Sequence, residues 1–388
     1  MNTQAKEHRF AAIDAEEVRS MAAATVLVAC VLFLVGLGIL ALVSIGMGQA
    51  NPFHYPVRQS LFLLTGCVVA VFTARVPASW WKTLLPWIFL STVVLLLMAR
   101  LVGPKINGAH RWLILGPISF QPSELGKLTV VLWLSCWLSH HRRHTREFLR
   151  GFFYPFSGVA IICLLVLIGP DFGTTALIGG VGLILMFIAG TRFGYLLCTL
   201  VVGAAALGVL ALHDPVRLSR ITSFLHPEKY QNNESYQLMN SLHAFMEGGG
   251  TGVGVGRSLQ KFSYLPEAHT DFIMSIIAEE TGALGSLVIL GLFLGFFVSG
   301  MTIGWRCTDP FDRLLAYGIT MSITLQALMN IAVVTASMPT KGLPLPFISH
   351  GGSNLVFMLA MVGMLLRIAG GNTGPKSAVP AKDSRHWL

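Results

Sequence analysis

The sequence predicts an all-α integral membrane protein with about ten transmembrane helices and a large extracytoplasmic loop between spans 7 and 8. Of its 388 residues, 54% are apolar and only 12% are charged, so a soluble globule of this size would lack polar surface. Apolar runs of roughly 20 residues, the length that crosses a bilayer, recur along almost the whole chain. We therefore predict that most of the protein surface contacts lipid.

The apolar runs divide the chain into three parts. Residues 1–20 form a cytoplasmic N-terminal tail, residues 21–370 a polytopic membrane domain, and residues 371–388 a cytoplasmic C-terminal tail that we expect to be disordered. No signal-peptidase site follows the first run, so we expect that span to remain as an anchor. The predicted spans are centred near Leu34, Val68, Val93, Val131, Cys163, Leu183, Val202, Leu290, Thr324 and Leu359.

The basic residues lie mostly in alternate linkers. These linkers, which carry most of the Lys and Arg together with both tails, are residues 75–82, 140–150, 190–193 and 305–313. The positive-inside rule places them in the cytoplasm and the loop 213–271 outside. The net charge of +9 therefore reflects membrane topology, and no basic face or tail predicts binding to nucleic acid. Spaced His or Cys sets that would predict a protein metal site are absent from the sequence.

Charged residues next to apolar spans are the candidates for chemistry, because a charge at membrane depth costs at least about 2.5–3.5 kcal/mol. Glu124 and Lys127 are three residues apart on one helical face, and they either neutralise each other or face a functional cavity. Asp271 precedes the eighth span, where spacing alone favours a helix cap. The glycine-rich residues 248–256 lack the GK[ST] ending of a phosphate-binding loop, so we interpret them as a flexible, close-packed loop.

Six segments of the chain resemble the shape, elongation, division and sporulation family, in the family's order and over nearly all the spans. They are NGAHRW (107–112), FQPSELGKL (120–128), PDFGTT (170–175), SYQLMNSLHAF (235–245), YLPEAHTDFIMSIIAEETG (264–282) and PTKGLPLPFISHGGSN (339–354). The last two together are most similar to the division branch of the family. His350 and Asn354 depart from the family's usual SYGGSS motif, and Asn240 stands where the family usually has Gln.

The resemblance implies a peptidoglycan glycosyltransferase that polymerises lipid II during septal cell-wall synthesis, with its active site on the outer face of the bacterial inner membrane. It implies that Asp271 is the general base for the acceptor hydroxyl. Arg111, Lys127 and Lys341 match cations that stabilise the departing pyrophosphate. Glu124, Asp171 and Ser349 fall in matched motifs and are expected to order these cations or the sugars.

The resemblance also implies partners and a cofactor. A divalent cation, Mg²⁺ or Mn²⁺, is expected with the substrate pyrophosphate. The expected protein partners are a class B penicillin-binding protein, which is a transpeptidase, and other divisome proteins. Two alternatives stay open, namely a lipid II flippase and a non-catalytic divisome scaffold that activates a transpeptidase. For the flippase, neither a symmetric repeat nor paired broken helices are evident in the sequence.

Overall fold

The computed structural model describes residues 3–47, 51–105, 110–116, 118–213, 218–219, 222, 224, 235–262, 267–340 and 342–371. A short antiparallel hairpin, formed by β1 (Leu113–Leu115) and β2 (Ile118–Phe120), is the sheet structure within these ranges. The α-helices are α1 (Thr3–Gly46), α2 (His54–Arg75), α3 (Ala78–Leu101), α4 (Pro122–His140), α5 (Tyr154–Ile168), α6 (Phe172–Ile188), α7 (Phe193–Leu212), α8 (Ser235–Gly248), α9 (Ile273–Arg306), α10 (Pro310–Val334) and α11 (Gly352–Gly371).

Each predicted span centre lies inside one of these helices. Among the described residues, eight helices are long and apolar enough to cross a membrane. The apolar helix α6 is shorter than those eight, and α4, which carries Glu124 and Lys127, is not among them. The all-α multi-pass fold is therefore confirmed, and the number of ten spans stays a prediction.

The most buried helices lie in the middle of the bundle. In α10 and α11, 67% of the most apolar 18-residue window is buried within the protein, against 11% in α7. Helix α11 packs along α2, α1 packs along α9, and α10 contacts α4, α6 and α9. Several polar residues of these helices, namely Glu124, Lys127, Gln326, Asn330 and Asn354, are buried within the protein.

The two tails differ in what the structure describes. Helix α1 begins at Thr3, so the predicted N-terminal tail continues the first span as helix. The predicted C-terminal tail lies outside the described residues, which end at position 371.

The glycine-rich segment 249–254 packs against an interruption in α9. Gly282 has φ +69° inside this helix, a conformation that breaks the regular turn. The segment supplies backbone hydrogen bonds across the break: Val253 N donates to Glu279 O (3.0 Å), and Ala283 N donates to Gly249 O (2.9 Å). A Cβ on Gly282 would lie 2.5 Å from the backbone nitrogen of Gly252. The predicted close packing of this loop is confirmed, and its flexibility stays a prediction.

Candidate functional site

The acidic and basic residues of α4 form a buried ion pair. Pro122 begins the helix, which places Glu124 in its first turn and Lys127 one turn later. The Lys127 Nζ lies 2.6 Å from Glu124 Oε2, and the side chains are 1% and 3% exposed respectively. Burying either charge alone would cost several kcal/mol, so each requires the other. The structure confirms mutual neutralisation, and the contact of either residue with substrate stays a prediction.

Buried amides extend this ion pair to α10 and α11. Lys127 Nζ donates to Gln326 Oε1 (2.6 Å), and Gln326 Nε2 donates to the carbonyl of Pro344 (2.8 Å). On the other side, Asn354 Nδ2 donates to Glu124 Oε2 (3.0 Å). The departure at Asn354 therefore has a direct role, because its amide orients the carboxylate that pairs with Lys127.

Asp271 lies at the start of α9, half-buried, and its backbone is fixed by α10. Asn330 Nδ2 donates to the carbonyls of Asp271 (2.8 Å) and Leu343 (2.7 Å). A Cβ at position 342 would lie 3.2 Å from Asp271 Oδ2, so glycine there lets the backbone approach the carboxylate closely. The N-cap of α9 is Phe272 and makes no side-chain cap bond. Asp271 thus lies one residue before the N-cap of α9, and the choice between a capping role and a catalytic role for its carboxylate stays a prediction.

Ser349 joins the segment before α11 to the segment before α9. Its hydroxyl donates to the carbonyl of Thr270 (2.6 Å) and accepts from Leu345 N (2.8 Å). Gln59 Nε2 on α2 donates to the Ser349 carbonyl (3.1 Å). Since Thr270 precedes Asp271, Ser349 holds the candidate base in place through its backbone. A direct contact of Ser349 with a sugar stays a prediction.

A cluster of aromatic rings lies beside these segments. The Tyr55 and His269 rings stack with centroids 4.4 Å apart, and the His350 ring meets Tyr55 edge-on at 5.1 Å. Burial, reinforced by the nearby His269, Arg58 and His54, lowers the pKa of His350 to about 4. Burial also lowers the pKa of His269. Both imidazoles are therefore neutral at pH 7, so they can donate or accept hydrogen bonds but supply no positive charge for a pyrophosphate.

Arg111 and Asp171 form a second ion pair, where the chain enters α6. Asp171 caps α6 by accepting from the backbone N (3.1 Å) and the hydroxyl (2.9 Å) of Thr174. Arg111 Nη1 lies 3.8 Å from Asp171 Oδ1, and the two residues line a small crevice with His110 and Ser123. The Arg111 side chain is 25% exposed, so it keeps a face open to a ligand while Lys127 does not.

The structure thus brings together most of the predicted site residues in two groups. Hydrogen bonds through α10 connect Asp271 and Ser349 with Glu124 and Lys127. Arg111 and Asp171 form the other group, and Gln121 links it to the first, because its Nε2 donates to Asp171 Oδ2 (3.5 Å) while its carbonyl accepts from Glu124 N (3.1 Å). Lys341 lies outside the described residues.

Sequence reasoning missed Gln326 and Asn330. Both are buried amides in a membrane-spanning helix, four residues apart and hence on one face. Two amides at this spacing within an apolar run are a sequence signal that could have identified both residues as candidates.

The side chains near the site limit how the protein could hold the expected metal ion. Within the described part of the chain, no group of three His, Cys, Asp or Glu side chains is arranged to hold a metal. Mg²⁺ is commonly held by one or two carboxylates together with substrate phosphates. The half-buried Asp271 fits that kind of site, in which the substrate itself provides most ligands.

Comparisons with known proteins identify close relatives. The cell cycle protein family FtsW/RodA/SpoVE matches residues 23–373. A Coxiella burnetii protein named "Probable peptidoglycan glycosyltransferase FtsW" is 41% identical over 353 residues, which is 88% of this chain and 95% of that protein. A Legionella pneumophila protein of the same name is 39% identical over 82% of each chain.

Solved structures give the same result. A chain of a peptidoglycan synthase complex, described as coordinating polymerization and crosslinking, superposes with a TM-score of 0.73 and 28% identity, over 89% of this chain and 98% of that one. The rod shape determining protein RodA of Thermus thermophilus superposes with a TM-score of 0.69 and 27% identity, over 90% and 97% of the two chains.

Proposed function

The chain belongs to the FtsW/RodA/SpoVE family of cell cycle proteins, and from this premise we propose that it is a peptidoglycan glycosyltransferase that polymerises lipid II for septal cell-wall synthesis. Two relatives that are about 40% identical to this chain over most of their length are named as probable peptidoglycan glycosyltransferases FtsW. The observation that supports a catalytic role is Asp271, a half-buried carboxylate whose backbone is held by Asn330 and which is approached closely by Gly342.

The proposed reaction joins the sugar hydroxyl of one lipid-linked disaccharide to the anomeric carbon of another. Asp271 takes the proton of the acceptor hydroxyl as the new glycosidic bond forms. The bond from the donor sugar to undecaprenyl pyrophosphate breaks, and its electrons leave with the pyrophosphate. The acceptor oxygen becomes a strong nucleophile only while the proton moves, so the position of Asp271 must be fixed, which Asn330 and Ser349 achieve through the backbone.

The cations of the site have different proposed roles. Arg111 is the proposed contact to the pyrophosphate, because its guanidinium is partly exposed while paired with Asp171. Lys127 is the second proposed cation for the pyrophosphate, and because it is buried and neutralised by Glu124, this role requires that the ion pair open. A divalent cation brought with the pyrophosphate, Mg²⁺ or Mn²⁺, would neutralise further negative charge, with Asp271 as the proposed protein ligand.

We place the active site on the outer side of the bacterial inner membrane, at the division septum. The support for the outer side is that the linkers rich in Lys and Arg, which the positive-inside rule assigns to the cytoplasm, lie at the end of the bundle away from Asp271. The support for the septum is membership of a family of cell cycle proteins.

The first prediction tests Asp271 as the base. Asp271→Asn keeps the size of the side chain but cannot accept the hydroxyl proton, so polymerisation of labelled lipid II by the purified protein should fall by at least about 100-fold. Binding of lipid II should be nearly unchanged. Movement of lipid II between leaflets, measured in vesicles in the same experiment, distinguishes a polymerase from a flippase.

Glu267→Gln is the matched control, because Glu267 is an exposed carboxylate four residues away that hydrogen-bonds to Thr270. It should lower the rate by less than about tenfold. Normal polymerisation by folded Asp271→Asn would refute the assignment of the base. Absence of glycan strands from the unaltered protein, with or without its partner, would instead favour a scaffold.

The second prediction concerns a protein partner. We propose a complex with a single-span class B penicillin-binding protein that crosslinks the new strands, together with other divisome proteins. The solved relative that belongs to a synthase complex supports this, as do the exposed apolar faces of α2, α3 and α7. The pair should co-purify and polymerise lipid II faster than this chain alone. Separate elution with equal rates would contradict the proposal.

A further inference from the structure

A cavity within the described part of the protein lies far from Asp271. Its volume is about 610 Å³, and it is bordered by the last turns of α4, α6 and α9 and the first turn of α10. Helix α9 begins next to Asp271 and has 34 residues, which corresponds to a length of about 50 Å. Because Trp305 at the other end of α9 lines the cavity, the cavity is separate from the candidate catalytic site. Its volume is typical of ligand sites.

Two arginines, Arg142 and Arg313, are among the residues that line this cavity. Arg313 donates from Nε (3.1 Å) and Nη2 (2.6 Å) to the carbonyl of Cys307, which satisfies the end of α9. A guanidinium has five N–H donors, so three remain for a ligand. Arg142 lies in the exposed linker after α4.

The acidic residues closest to Arg313 along the chain have other partners. Asp309 lies 3.5 Å from Lys82 Nζ, and Asp312 is paired with the guanidinium of Arg367. Three helix C-termini also border the cavity, and their carbonyls would repel an anion. The bond from Arg313 to Cys307 offsets this effect at α9, and the N-terminus of α10 adds partial positive charge. The cavity therefore favours an anion.

The rim of the cavity is partly apolar. Trp305 is 80% exposed there, and Leu138, Ile188 and Leu314 also line the cavity, together with the polar Ser139 and Tyr317. An exposed Trp at a helix end is typical of the headgroup layer of a membrane. A free phosphate ion would use the two guanidinium groups but not this rim, whereas a phospholipid would use both.

We propose that this cavity binds the phosphodiester headgroup of an anionic phospholipid of the cytoplasmic leaflet, of the phosphatidylglycerol or cardiolipin class. The phosphate lies between Arg142 and Arg313, and the acyl chains leave past Trp305 into the bilayer. Basic pockets between spans on the cytoplasmic side are suited to such headgroups.

The test is a titration of the purified, detergent-solubilised protein with phosphatidylglycerol, followed by native mass spectrometry. Arg142→Gln removes one guanidinium, and Ala189→Phe fills the cavity without changing its charge. Each should weaken phosphatidylglycerol binding by about fivefold or more. Arg143→Gln is the matched control, since Arg143 is exposed, adjacent and not in the lining, and it should change binding by less than about twofold. An unchanged melting temperature shows that each variant is folded.

Several results would overturn the proposal. Equal losses for Arg142→Gln and Arg143→Gln would mean that charge acts without a defined site. Full affinity in Ala189→Phe would place the lipid outside the cavity. Equal binding of zwitterionic phosphatidylethanolamine would remove the anionic preference. Displacement of the lipid by millimolar inorganic phosphate would identify free phosphate as the ligand.

Discussion

Lys127 lies in the middle of the bundle with its ammonium group between Glu124 Oε2 and Gln326 Oε1, each 2.6 Å away. The side chain is 1% exposed, so a pyrophosphate can reach it only if this arrangement opens. Arg111 is partly exposed and needs no such opening. At the scale of residues, therefore, the two cations differ: Lys127 stabilises the packing of the bundle, whereas Arg111 is accessible to a substrate.

The third prediction follows from this pair. Glu124→Gln leaves the Lys127 charge buried without its counter-charge, so it should destabilise the folded protein by about 3–5 kcal/mol. Thermal unfolding in detergent measures the loss. The double variant Glu124→Gln with Lys127→Met removes both charges and should recover part of this stability.

Activity of the double variant separates the two roles of Lys127. If Lys127 also stabilises the pyrophosphate, the double variant regains stability but polymerises lipid II no faster than Glu124→Gln alone. Recovery of activity together with stability would show that Lys127 is needed only for the structure.

At the scale of elements, α9 is a discontinuous helix completed by another segment of chain. The regular turn is lost at Gly282, and the backbone of residues 249–254 takes over hydrogen bonds there. Unpaired backbone groups at membrane depth cost several kcal/mol each, so the interruption is tolerable only with this partner. The start of α9, and with it Asp271, therefore depends on a loop that is distant in sequence.

The fourth prediction compares two glycines of this loop. Gly252 (φ +81°) and Gly256 (φ +82°) have nearly the same positive φ, but a Cβ at Gly252 would lie 2.2 Å from Glu280 O, whereas at Gly256 it would meet nothing within 4 Å. Gly256→Ala should cost about 1–2 kcal/mol for its backbone conformation alone. Gly252→Ala should cost about 1–3 kcal/mol more, because α9 must move.

Thermal unfolding of both variants in the same detergent provides the measurement. Equal melting temperatures for Gly252→Ala and Gly256→Ala would mean that packing of the loop does not stabilise α9. A larger loss for Gly252→Ala, with a parallel loss of polymerisation, would support the dependence of Asp271 on this contact.

These elements show how far the sequence could predict the structure. The spans were predictable because about 20 apolar residues suffice to identify a helix in lipid, and the motifs marked the segments that meet at Asp271. The bond from Gln326 to Pro344 and the packing of the glycine segment on Gly282 were not predictable. They depend on how separate helices pack, which no local periodicity encodes.

At the scale of the whole molecule, alternate linkers meet at opposite ends of the bundle. Thr191 donates to the carbonyl of Gly151 (3.0 Å), and Arg142, Ala189 and Trp305 border one cavity, so the predicted cytoplasmic linkers after α4, α6 and α9 lie together. The segments around Asp271 and Ser349 lie together at the other end. The structure thus agrees with the alternation of the linkers, and the side of the membrane that each end faces stays a proposal.

The fifth prediction tests the orientation in cells. An impermeant thiol reagent added from outside should label Asn233→Cys, in the long loop, and leave Arg146→Cys unlabelled, because Arg-rich linkers stay in the cytoplasm. Position 233 lies outside the described residues. Both cysteine substitutions should be made in a variant that lacks the six native cysteines, because Cys67 and Cys198 are exposed and would also react. Strong labelling at position 146 with none at 233 would invert the topology.

The contact between Gly252 and Gly282 also limits how this sequence can evolve. At both positions a new Cβ would clash with backbone atoms. Because every residue has these backbone atoms, no substitution of a neighbouring residue can relieve the clash. A residue inserted or deleted between positions 250 and 253 would change the spacing between the two pairs of backbone groups that bond to α9. The side chains of Val253 and Val255, in contrast, are 37% and 70% exposed. We therefore expect evolutionary drift to change these exposed valines freely, while the length of the segment, its Gly252 and the facing Gly282 of α9 persist.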